Sequence, residues 1–386
     1  MKLSKRARSI EPSATLAVAA LARELKASGR PVLSFSAGEP DFASPKCATD
    51  AAIAAMEREE THYTATSGIP ELKRAIAAYY KNRFGLDYAP AEILASGGAK
   101  QVLYELMQVL VDPGDEVLLP SPAWVSYVEQ IQIAQGKAVT VDTASTDFIP
   151  CREGLERALS PKTVGIIINS PNNPTGAVYG QNTLEMLADV ARKNDLWIIY
   201  DEIYERLVYD RSRHSNILQT APDIRDRVIA INGVSKAYSM TGWRIGYALG
   251  PKEVIAKVDD IQSHLASNPS SIAQWASVGA IEGGEPYVEK NRSEFERRRD
   301  ILFDMLSGTG LLAKRPSGAF YAFLDLRGTR VPDDMEFCRR ILEEKYVALV
   351  PGAAFFAPGF ARMSYACSEN DIKEGASRIK DFIKSL

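Results

Sequence analysis

Six apolar runs, at residues 117–119, 138–141, 164–168, 196–200, 228–231 and 245–249, limit what this chain can fold into more than any other feature. Most are separated by stretches of helical periodicity, and strands that alternate with helices build a largely parallel sheet. A run that is apolar at successive positions, rather than at alternate ones, suits a strand covered on both faces. Ligands of such open sheets gather at the carboxyl ends of the strands, so the residues after each run are where chemistry is expected.

The run at 164–168 leads into Ser170-Pro171-Asn172-Asn173-Pro174-Thr175-Gly176, which taken alone has the composition of a turn. The run at 196–200 ends in Asp201-Glu202-Ile203-Tyr204, an acid and a phenol at a strand end. Beyond 228–231 comes Ser235-Lys236-Ala237-Tyr238-Ser239-Met240-Thr241-Gly242-Trp243-Arg244. An amine beside a hydroxyl, with an arginine a few residues on, suits an aldehyde cofactor that also carries a phosphate, and Lys236 reads as a Schiff-base lysine. Asp201 is placed to pair with a protonated pyridine nitrogen, which keeps such a ring electron-poor.

These segments, in this order, resemble the class I pyridoxal-phosphate-dependent aminotransferases, with the nearest likeness to bacterial aspartate aminotransferases. The resemblance extends from Pro12-Ser13-Ala14-Thr15 through Ala37-Gly38-Glu39-Pro40-Asp41-Phe42 to Arg362-Met363-Ser364-Tyr365-Ala366. It implies an α/β chain of the PLP-dependent transferase fold type I, with a large domain built on a mostly parallel sheet and a small α+β domain. From the spacing of the runs, the large cofactor-binding domain is expected at residues 46–295, and the small domain is expected to combine 1–45 with 296–386.

Matched position by position, the resemblance makes Lys236 the lysine that holds pyridoxal 5'-phosphate and later moves the substrate proton, the acid and base of one reaction. Asp201 matches the partner of the pyridine nitrogen, Tyr204 and Asn173 the donors to the phenolic oxygen, and Trp124 the aromatic that stacks on the ring. Gly98, Ala99 and Lys100 match the phosphate loop, between a strand at 92–96 and a helix at 101–110, where free N–H groups and the helix dipole favour an anion. Ser235 and Arg244 match two further phosphate ligands, and Tyr63 one that reaches the phosphate of a neighbouring subunit, which implies a homodimer with shared sites. Arg362 matches the arginine that grips the substrate α-carboxylate, with Gly38 and Asn173 alongside; a planar fork fits that group as a lysine does not.

One departure concerns the substrate side chain. Some aspartate aminotransferases hold the distal carboxylate with an arginine just before Ser-Asn-Pro, but here Gln262-Ser263-His264-Leu265-Ala266 precedes Ser267-Asn268-Pro269. Lys100 matches the residue that relatives lacking that arginine use instead, while His264 is equally well read as a solvent or interface histidine. The expected reaction is transfer of an amino group from L-aspartate to 2-oxoglutarate in ping-pong half-reactions. A broader or different specificity (aromatic amino acids, prephenate), or a PLP-dependent β-lyase on the same fold, is the alternative. Glu11, where a basic residue would favour prephenate, weighs against that substrate.

Composition bounds the rest. The 386 residues, 46% hydrophobic and 25% charged, suffice for two domains and a sizeable core, and a net charge of -3 argues against nucleic acid as the main partner. Four scattered cysteines lack metal-ligand spacing, so no metal site is expected. A basic N-terminus followed by a helix at 13–26, not a cleavable apolar core, leads to the expectation of a cytoplasmic protein with no membrane segment. Arg297-Arg298-Arg299, within a charged helix at 286–306, reads as a solvated helix face.

Overall fold

The computed structural model describes residues 2–10, 14–312 and 314–386. Its strands, in chain order, are β1 (Leu33–Ser34), β2 (Ile93–Ser96), β3 (Glu116–Ser121), β4 (Lys137–Asp142), β5 (Thr163–Asn169), β6 (Trp197–Asp201), β7 (Val228–Gly233), β8 (Gly246–Leu249), β9 (Tyr321–Asp325), β10 (Val347–Ala348), β11 (Val350–Pro351) and β12 (Phe360–Ser364). Seven of them form one sheet in the order β2-β8-β7-β6-β5-β3-β4, parallel throughout except that β8 runs against both neighbours. All six apolar runs are strands of this sheet, joined by β2.

The continuous apolarity has a direct cause. Successive side chains of a strand point to opposite faces, and here each face meets its own core. Ile166, Ile168, Ile198, Tyr200, Val228 and Ala230 enter one cluster; Ile167, Ile199, Ile229 and Ile231 enter another on the other face, with Leu103, Leu106 and Val258 from helices. A polar residue at any of these positions would be buried without a partner.

A smaller antiparallel sheet, β11-β12-β9, and the parallel pair β1-β10 are assembled from the chain's two ends. Arg362, on β12, is paired in register with Val350 and Phe323. Phe320, Tyr321, Phe337, Ile341 and Phe382 fill the core beneath this sheet.

Helix Glu285–Leu306 overturns one expectation. Of its three consecutive arginines only Arg297 faces solvent, whereas Arg299 has a fully buried side chain that holds Asp210 with two bonds of 2.7 and 2.8 Å. Arg298 is buried against Asp41 and Glu294. The solvated-face reading fails because acids distant in sequence come to these guanidiniums. The N-terminal helix spans Ala14–Ala27, while Glu11, Pro12 and Ser13, the first residue of the expected helix, lie outside the described residues, as does Ala313. Among the described residues, no helix is long and apolar enough to cross a membrane.

Strand β8 passes so close to the loop after β2 that a Cβ on Gly246 would lie 2.1 Å from the Ala99 nitrogen and 2.5 Å from the Gly98 carbonyl carbon. Backbone cannot yield as a side-chain tip can. Gly246→Ala is therefore expected to lower the unfolding free energy by about 1–3 kcal/mol, the cost of overpacking, read as a shifted urea midpoint. Gly180→Ala, where nothing lies within 4 Å, should leave the midpoint in place.

Candidate active site

The carboxyl ends of β2, β3, β5, β6 and β7 open onto one cavity of about 510 Å³. Ala99 and Lys100 follow β2, Trp124 follows β3, Asn173 follows β5, Asp201 and Tyr204 close β6, and Ser235, Lys236 and Arg244 follow β7; Gly38 and Arg362 complete the wall. Gly98 lies directly behind, at the N-cap of helix Ala99–Leu110 with φ 100°, and a Cβ there would stand 2.4 Å from Arg244 Nη2. Tyr63 does not join this cavity; it is 90% exposed. His264 is exposed near the end of helix Lys252–Leu265. A larger cleft of about 1230 Å³ lies against helices Pro70–Phe84 and Ser271–Gly283, but Arg74, Arg83 and Arg206 there are already paired with glutamates.

Burial sets the chemistry of the two central groups. Lys236 Nζ donates to the Gly38 carbonyl at 2.7 Å, and desolvation, partly opposed by Glu39, lowers its pKa to about 8. A substantial share of the amine is then neutral, and thus nucleophilic, near physiological pH. Asp201, 3% exposed, accepts from Tyr127 Oη at 2.6 Å and from the Ile203 N–H at 3.1 Å. Desolvation outweighs these bonds and pushes its carboxyl up to about 6, a bias that a cation placed against the acid would reverse.

The opposite imbalance holds at Arg362. It is 3% exposed, lies over the Tyr321 and Phe355 rings at 4.5 and 4.9 Å, and donates to Asn173 Oδ1 at 2.9 Å and to the Ser36 carbonyl at 2.7 Å. Among the described residues no carboxylate is paired with it and its Nε is buried without a partner, and burial pulls its pKa down. Because a guanidinium only donates, the Asn173 oxygen must point at Arg362, which leaves the Asn173 NH₂ as a donor.

Around these stand groups that the sequence did not mark. Tyr127 is one helical turn past Trp124, so both face the same side; their rings meet edge to face at 5.4 Å. Tyr321 shares a hydrogen bond of 2.9 Å with Tyr204 Oη, and its hydroxyl lies 2.7 Å from where a Cβ on Gly38 would be. Asn169 Oδ1 accepts from the Asn173 N–H at 2.8 Å, and Asn169 Nδ2 donates to the Asp201 carbonyl at 3.1 Å. Lys100 Nζ sits 4.8 Å over the Trp124 ring, and burial, then Arg244, lowers its pKa.

Among the described residues, the lining carries Arg23, Lys100, Lys236, Arg244 and Arg362 against Glu39 and Asp201, a surplus of positive charge that calls for an anionic occupant. An aldehyde for the amine, a protonated ring nitrogen for Asp201, a phosphate at the helix start beside Arg244, and a carboxylate for Arg362 would each answer one of these imbalances. Pyridoxal phosphate with an amino acid supplies all four. The residues present therefore fit that group.

The family model for aminotransferase class I and II matches residues 30–379. The chain is 45% identical to an aspartate aminotransferase of Geobacillus stearothermophilus, covering 100% of both. It is 43% identical to an aspartate/prephenate aminotransferase of Thermus thermophilus, covering 97% of each. A solved structure of aspartate aminotransferase from Thermus thermophilus with maleate superposes with a TM-score of 0.95 at 42% identity, covering 100% of both chains.

The lowered lysine pKa gives a pH test. Neutral amine is the reactive form, so the rate at which the cofactor-free protein captures an aldehyde should rise with pH and level off above a midpoint near 8. Stopped-flow absorbance measures it; a midpoint near the ordinary lysine value of 10.5 would contradict the desolvated environment.

Proposed function

This chain belongs to the class I and II aminotransferases and is a pyridoxal-phosphate-dependent enzyme, and from that premise we propose that it moves the amino group of L-aspartate to 2-oxoglutarate in two half-reactions at one site. One observation carries the reading: a buried arginine without an acid partner among the described residues shares a cavity with a desolvated lysine amine. The cofactor, when bound, supplies an electron sink for the carbanion left at the substrate Cα.

The chain's own residues bind, orient and move protons. Gly98, Ala99, Ser235 and Arg244 would hold the phosphate, with Lys100 adding charge, and Trp124 would supply an aromatic face for the ring. Asp201, which accepts from Tyr127, would keep a proton on the pyridine nitrogen, and Tyr204 and the Asn173 NH₂ would be the donors for the phenolic oxygen. Arg362 takes the α-carboxylate in a two-pronged grip, which fixes Cα within reach of Lys236. Once free, that amine takes the proton from Cα and keeps it inside the site for the return step.

Two features favour a dicarboxylic substrate. Lys100 places a further cation in the cavity besides Lys236, Arg244 and Arg362, and the Thermus thermophilus enzyme, so similar over its whole length, is seen with maleate, itself a dicarboxylate. Prephenate is the second reading, favoured by the relative named aspartate/prephenate aminotransferase. A donor and acceptor panel followed by steady-state kinetics should give the highest kcat/KM for aspartate and 2-oxoglutarate; a preference for neutral or aromatic donors refutes the assignment. Lys236→Ala should lower kcat by about 10²–10⁴-fold, the range for loss of an acid–base group.

The same proposal includes a homodimer and a division into residues 46–295 and 1–45 with 296–386, substrate bridging Lys236 of the first part and Arg362 of the second. Exposed Tyr63, Ile53, Met56 and Leu265 support a surface that a second copy covers. If Tyr63 completes the partner's site, mixing Lys236→Ala with Tyr63→Ala protein creates hybrids with one intact site. Activity should then exceed the mean of the two parents, and activity equal to that mean would exclude a shared site.

A further inference from the structure

Helix Ala14–Ala27 separates two environments. Val18, Ala22 and Leu25 pack with Val32, Leu342 and Ala348, while Leu16, Ala19 and Arg23 line the active-site cavity. Spacings of three and four residues put each trio on its own helix face. The face turned to the cavity is thus apolar for two residues and ends in a guanidinium.

That guanidinium differs from the other cations of the wall. Lys236 is bonded to Gly38, Arg362 to Asn173 and Ser36, Arg244 to the Thr241 and Gly97 carbonyls, and Lys100 lies over Trp124. Arg23 alone among them has no hydrogen bond, ion pair or ring contact with the described residues. The two acids among the described lining residues do not answer it: Asp201 is held by Tyr127, and Glu39 accepts from Thr241.

We infer that Arg23 is a specificity-determining residue, a cation at the cavity wall that selects substrates with a second carboxylate beyond Cα. The inference rests on the aminotransferase reading and adds to it a residue on the N-terminal helix. With the α-carboxylate fixed at Arg362 and Cα at Lys236, the substrate side chain is the part left to meet the remaining cations. Leu16 and Ala19 offer its methylene groups an apolar surface, and Arg23 offers its charge a planar donor fork. Arg23 is exposed and thus screened by salt, so its effect should shrink as ionic strength rises.

The test uses the holoenzyme and the ratio of kcat/KM for aspartate to that for phenylalanine, a donor without the second carboxylate. Arg23→Gln should reduce that ratio by about fivefold to twentyfold, between the values of a screened and a charge-assisted contact, chiefly through KM for aspartate. Arg23→Lys should recover most of the loss, and in the unmodified enzyme the ratio should fall as salt is raised. A ratio unchanged by Arg23→Gln, an equal loss for both donors, or a lysine variant no better than the glutamine one would overturn the inference. If the unmodified enzyme itself proves indifferent to aspartate, the substrate assignment fails instead; the ratio measured with whichever dicarboxylic donor it accepts still judges Arg23.

Discussion

A buried positive charge with no negative one beside it among the described residues is the interaction on which this architecture turns. Arg362 leaves the small antiparallel sheet to bond Asn173 at the end of β5 and the Ser36 carbonyl near the N-terminus, so one side chain ties together three distant parts of the chain. Aromatic faces and neutral acceptors compensate the guanidinium only in part, and an uncompensated buried ion costs several kcal/mol. The fold tolerates that cost, and the cost is withdrawn when a carboxylate arrives. Stability given up at a site is the usual counterpart of binding strength there.

Support for the facing side of the cavity comes from behind the sheet. Asp201 and Glu202 are consecutive and both buried, yet alternation sends them opposite ways. Glu202 turns from the cavity to accept from Tyr80 at 2.8 Å and Asn216 at 2.9 Å, and it contacts His214 Nε2 at 2.7 Å. The end of β6 is thereby clamped on the side away from the ligand, which fixes the carboxylate on the other. Tyr127 and Tyr321 perform the same service for Asp201 and Tyr204 from within the cavity.

Much of this was legible in the residues because the signals were local. Runs such as 164–168 are apolar at every position since both faces of their strands meet a core, and the acid, phenol and amine at the run ends follow from where strands stop. Tyr321 could not be read this way: it meets Tyr204 from 117 positions away, and nothing in its neighbourhood in the chain distinguishes it. Arg298 and Arg299 were misread for the same reason, their acids Asp41 and Asp210 lying far off in sequence. Tyr127 did carry a signal, its spacing of three from Trp124 within a helix. The reversed direction of β8 also had one, since residues 234–245 include no helical stretch long enough to carry the chain back for a parallel return.

That reversal has a consequence for how the site keeps its dimensions. Gly233 and Gly246 pair directly across β7 and β8, so the chain emerges from one strand, delivers Lys236, turns, delivers Arg244 and re-enters the sheet beside its point of exit. The covalent anchor and the arginine of the phosphate grip are thus mounted on a single closed bracket whose two feet are bolted together. Breathing motions of distant helices can tilt this bracket as a whole, but they have little leverage to change the span between its two tips.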